Sequence, residues 1–105
     1  MTFLPIPIRR VKVSGNSMFP TIRDGKSLFF HGATRGIGVN QIVLIERDSY
    51  PGIFYIKRVK SVQAEGIWVE GDNSAESNDS RKWGYLSPHE IIAVAFRRYR
   101  MKASE

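Results

Sequence analysis

Arg9-Arg10-Val11-Lys12-Val13 alternates charged and apolar side chains, the period of two that marks a strand with one buried face. Phe3 to Ile8 precedes it as an extended lead-in carrying two prolines. Arg23-Asp24-Gly25-Lys26 is turn chemistry, and Ser27-Leu28-Phe29-Phe30-His31 reads as the next strand. Gly32 to Asn40 contains three glycines and is a loop. Gln41-Ile42-Val43-Leu44-Ile45-Glu46 is a continuous apolar run between polar ends, as in a strand covered on both faces. After a turn at Tyr50-Pro51-Gly52, Ile53 to Val62 is the longest strand candidate. Glu65-Gly66 turns the chain into its return partner, Ile67 to Glu70. Gly71 to Trp83 is rich in Asp, Asn and Ser and reads as a polar loop. Ser87-Pro88-His89-Glu90 carries a helix-start signal, and Ile91 to Phe96 suits a final strand. Short strands at close spacing with glycine turns predict a mainly β domain, a small barrel or sandwich of antiparallel strands.

Composition adds limits. A chain of 105 residues supports one core, so a single domain over 1–105 is expected, its core about 9–99 and the segments 1–8 and 100–105 peripheral. The absence of cysteine removes disulfides, thiolate nucleophiles and Cys-bound zinc. Sixteen basic against ten acidic residues give +6, a charge that attracts nucleic acid, an anionic membrane or an acidic substrate, or that belongs to a solvated surface. Part of the excess lies in Arg97, Arg98, Arg100 and Lys102. No stretch approaches the ~20 apolar residues of a membrane helix, and the apolar start lacks the features of a signal peptide.

Two places carry candidate chemistry. Ser14-Gly15-Asn16-Ser17-Met18-Phe19-Pro20-Thr21 must leave an extended segment and turn sharply, because proline fixes its own φ and moves its predecessor out of the α region. Such a turn presents Ser17 outward, either as a capping hydroxyl or as a nucleophile, which needs a nearby base. In Ile53 to Val62, alternation puts Lys57 on one face with Ile53, Tyr55 and Val59, and Arg58 and Lys60 on the opposite face, expected to be wet. A lysine among apolar neighbours can lose its proton near neutral pH; one on a surface lays its methylenes along the sheet and keeps it.

Gly15-x-Ser17-Met18-x-Pro20-Thr21, then Lys57-Arg58-Val59, then Gly71-Asp72-Asn73 with Asn78-Asp79-Ser80-Arg81-x-Trp83-Gly84, occur in that order. In this the chain resembles the type I signal peptidases, Ser/Lys-dyad proteases, over roughly residues 10 to 98. The resemblance implies a small signal-peptidase-like β fold with Ser17 as nucleophile and Lys57 as general base. It implies Ser77 as the hydroxyl that orients the lysine, and Asp79 with Arg81 as a structural ion pair beside Ser80. Asp72 and Asn73 match the opening of the same motif. An oxyanion hole is expected from the Ser17 N–H; some members add a serine hydroxyl where this chain has Gly15. Met18 is expected beneath the nucleophile turn or lining the substrate cleft. Lys26 and Asn40-Gln41 stand where the family often has Gly-Asp. His31 and His89 are assigned to structure, Trp68 and Trp83 to core or loop anchoring, and no metal or organic cofactor is implied.

The implied partner is a precursor protein with a cleavable N-terminal leader and small residues before the cut, and not nucleic acid. Membrane-bound signal peptidases have an N-terminal anchor that is missing here. A soluble, cytoplasmic relative is therefore expected, with peripheral membrane contact left open at the apolar start. Length and texture resemble the short maturation proteases of nickel-type superoxide dismutase. Two rivals are a self-cleaving repressor-type Ser/Lys peptidase, for which the residues before Ser14 leave little room, and a basic β-barrel binding nucleic acid.

Overall fold

The computed structural model describes residues 8–100, so the lead-in expected from Phe3 to Pro7 lies outside the described residues, as do residues 101–105. Six strands form: β1 (Ile8–Lys12), β2 (Ser27–His31), β3 (Ile42–Glu46), β4 (Phe54–Gln63), β5 (Gly66–Glu70) and β6 (Ile91–Ala95). All pair antiparallel in one sheet of order β1-β2-β6-β3-β4-β5. The mainly β expectation is met, with each strand within two residues of its expected bounds. Among the described residues no pairing joins the edges β1 and β5.

The sheet has a core on each face, which is why β3 reads as a continuous apolar run. Ile42 and Leu44 point into one cluster with Val13, Met18, Ile22, Leu28 and Phe30. Val43 and Ile45 point into the other with Val59, Ile67, Val69 and Leu86. This double coverage corrects the expectation for β4. Lys57 lies opposite Val43 and is buried with that core, as alternation predicts. Arg58, on the other face opposite Ile42, is not wet: it is 2% exposed. The alternation holds, but the second face is covered too, so a charge there must find a partner. Past Val59 the pairing with β5 shifts register, leaving Lys60 as the extra residue of a bulge.

The stretch Gly71 to Trp83 is more ordered than a polar loop. Ser74–Glu76 makes one 3-10 turn and Ser80–Trp83 a single α-helical turn, α1. Asp79 is the N-cap of α1, its carboxylate accepting from the Arg81 N–H at 3.1 Å. The helix-start signal at Ser87 produces a 3-10 turn over Pro88–Glu90 with a complete capping box. No helix among the described residues is long and apolar enough to cross a membrane.

Candidate active site

The turn that carries Ser17 is pinned at three levels. At its base, Val13 exchanges backbone hydrogen bonds with Lys26 and Gly25, and the Gly15 N–H donates to Asp24 Oδ1 at 2.8 Å. Gly15 sits at φ +90, where a side chain would be strained. The bond to Asp24 commits the Gly15 amide to the turn, the second of the two places, oxyanion or turn, that the resemblance gives this glycine. Beneath the turn, Met18 and Ile22 are 1% and 0% exposed in the core. Each such burial is worth about 1.5–3 kcal/mol. Met18 is thus a core side chain beneath the turn, the first of the two places expected for it rather than the cleft. Above, the Ser17 carbonyl accepts from the Asn73 N–H at 2.8 Å, and Asn73 Nδ2 donates to the Asn16 carbonyl at 3.0 Å. Ser17 is left half-buried on the turn.

Lys57 is 3% exposed and donates from Nζ to Ser77 Oγ at 3.0 Å. The Ser77 hydroxyl in turn donates to Asp79 Oδ2 at 2.6 Å, which leaves its lone pairs facing the lysine. Asp79 is fully buried and also accepts from the Gly71 N–H at 2.9 Å and from Arg81 Nη2 at 2.6 Å. Burial lowers the Lys57 pKa from 10.5 to about 8; the Asp79 charge opposes this and Arg81 adds to it. Burial alone would raise the Asp79 pKa, but hydrogen bonds from Arg81, Ser77 and the Gly71 N–H hold it well below the usual carboxylate range. Asp79 in turn raises the Arg81 pKa. Asp79 is thus more than one half of a structural ion pair, because it also fixes the hydroxyl that holds Lys57.

Gly71 joins the two halves. A Cβ on it would meet Ser77 Oγ, and the Ser17 carbonyl oxygen at 2.6 Å. The turn and the lysine chain therefore close on one glycine. A second pair lies on the far face of β4: Arg58 Nε and Nη2 clamp Asp72 at 2.9 and 2.8 Å, and Nη1 reaches the Asn40 carbonyl at 3.1 Å. Asp72 thereby anchors the segment just before Asn73. Its side chain is 0% exposed, so Asp72→Ala strands a buried guanidinium and is expected to cost about 3–5 kcal/mol in urea denaturation. A loss under about 1 kcal/mol would mean that water reaches Arg58 freely. The sequence marks Asp72 only as part of a motif and does not reveal the pair, since no periodicity rule says which arginine a buried aspartate will take.

His31 stacks edge-on against Phe96, and His89 pairs with Asp48 at 2.6 Å on the surface; both lie outside the cluster. Trp83 packs edge-on against Tyr55 beneath Arg47, while Trp68 donates to Glu70. A family model described as Peptidase S24-like matches residues 7–96, a span holding Ser17, Lys57, Ser77, Asp79 and Arg81. Among curated proteins, none matches the chain.

Proposed function

This chain belongs to the Peptidase S24-like family, and on that premise we propose that it is a serine endopeptidase with Ser17 as nucleophile and Lys57 as general base. The observation that carries the reading is the buried Lys57 amine, held by the Ser77–Asp79 chain beside the Ser17 turn, with its pKa lowered to about 8. At pH 7 about a tenth of such lysines are neutral, against about one in three thousand at the ordinary pKa. A neutral Nζ takes the proton from Ser17 Oγ as that oxygen attacks the scissile carbonyl carbon. The same proton passes to the departing amine, leaving an acyl ester on Ser17. Lys57 then deprotonates the water that hydrolyses the ester. The backbone N–H of Ser17 is the donor this reading assigns to the oxyanion.

The substrate of this reading is a precursor whose N-terminal leader is removed at an extended segment with small residues before the cut. Its most specific form is a nickel-type superoxide dismutase precursor. The Peptidase S24-like match also favours a second reading, self-cleavage in the manner of repressor-type Ser/Lys peptidases. Incubation with a panel of leader-bearing precursors, that one included, tests both. Wild type is expected to cut one precursor at one bond, and Ser17→Ala to lose about a thousandfold or more of kcat/KM. Equal cutting by Ser17→Ala would remove the dyad. First-order loss of the intact chain, independent of its concentration, would select self-cleavage.

A further inference from the structure

A cleft of about 980 Å³ opens beside the Ser17 turn, and among the described residues its lining holds Lys26, Arg58, Arg97, Arg98 and Arg100 without a carboxylate. Thr21, four positions past Ser17 in the same pair of turns, is part of that lining, so the loop that carries Ser17 borders the cleft. We propose that this cleft is a docking site for an acidic peptide segment of the precursor, a proposal that rests on the peptidase reading above.

The geometry separates this ligand from other anions. A compact phosphate site needs a buried, unengaged cation or converging backbone N–H groups. The buried cation here, Arg58, is committed to Asp72 and to the Asn40 carbonyl. The remaining cations, Lys26, Arg97, Arg98 and Arg100, are exposed and spread along the cleft, which suits carboxylates distributed along an extended chain. Single-stranded nucleic acid binds by stacking bases on aromatic faces. The aromatic ring in the cleft, Tyr99, already carries Lys26 Nζ and Arg97 Cζ at 5.7 and 5.4 Å from its centroid. The cleft's charges attract an acidic segment of the precursor before any bond is cut.

The test uses the full chain with Ser17→Ala, so that binding is read without cleavage. Fluorescence anisotropy would compare a labelled hexaglutamate peptide, a hexaglutamine peptide and a twelve-nucleotide single-stranded DNA. Hexaglutamate is expected to bind and to weaken about tenfold or more between low and moderate salt, with hexaglutamine silent. Changing Arg97, Arg98 and Arg100 together to Ala should weaken hexaglutamate binding about tenfold or more. Changing the same three to Lys should stay within about threefold, since charge is kept. All three are exposed, so neither variant removes core packing. Unchanged binding by the Ala variant, no binding of hexaglutamate, or tighter capture of the DNA would each overturn the proposal. Failure of the peptidase reading would appear separately, as cleavage by Ser17→Ala equal to wild type.

Discussion

Lys57→Met is expected to abolish cleavage and at the same time to stabilise the fold. The activity loss should be about a thousandfold or more, because methionine fills the lysine's volume but can neither take nor return a proton. The gain in stability comes from the same burial that makes the lysine a base. Below pH 8 the amine is charged in both folded and unfolded chains, and the folded state bears the cost of holding that charge away from water. A pKa lowered from 10.5 to about 8 corresponds to a penalty of at most about 3 kcal/mol. Part of it is offset by the bond to Ser77 Oγ, which methionine loses. A net gain of about 1–3 kcal/mol is therefore expected at pH 6 to 7 in denaturant titrations.

The pH dependence gives the sign. Between pH 8 and 10.5 the folded wild type has lost the proton while the unfolded chain still binds it, so wild-type stability rises with pH there. The advantage of Lys57→Met should accordingly shrink across that window and be gone above it. Wild-type kcat/KM should climb about tenfold per pH unit below pH 8 and level off above it. A variant less stable than wild type at pH 6, together with a flat activity profile, would show that Lys57 is not a burdened base.

Lys57 also shows what the sequence could and could not carry. Its face on β4 follows from alternation, and its burial from the apolar residues two positions to either side. The strands were legible for the same reason: period-two patterns and glycine turns are local signals. Arg58 was not legible, because whether the opposite face of a strand is wet depends on what the rest of the chain lays over it. That cover comes from a second core and from Asp72, fourteen residues later. The order of the loop between Gly71 and Trp83 is hidden from composition for a related reason. Polar composition is shared by solvated loops and by segments whose polar groups satisfy one another, and only the partners of Asp79 tell them apart. The turn that holds Gly15 and Met18 is visible in the sequence, but the choice between core and cleft for Met18 and the bond of the Gly15 amide to Asp24 are set by tertiary contacts.

Gly71→Ala is expected to lower kcat about a hundredfold or more with a modest loss of stability. The substitution faces no backbone strain, since the φ of Gly71 lies outside the left-handed region. Its effect is purely one of space. The new methyl would overlap Ser77 Oγ and the Ser17 carbonyl oxygen, and neither can yield freely. Ser77 is held between Lys57 and Asp79, and the Ser17 carbonyl is held by the Asn73 N–H. Gly71 itself cannot retreat without stretching its N–H bond to Asp79 and its carbonyl bond from Arg81 Nη2. Something must shift by a good part of an ångström, and a misplacement of about 1 Å between reacting groups costs about a hundredfold. Overpacking of this kind costs about 1–3 kcal/mol, so the variant should still fold. Gly38→Ala is the control, because a Cβ there meets nothing within 4 Å and the backbone is not left-handed. It should match wild type in both measurements. If Gly71→Ala instead kept kcat within about threefold while losing the same stability, the serine turn and the lysine chain would not be working as one site.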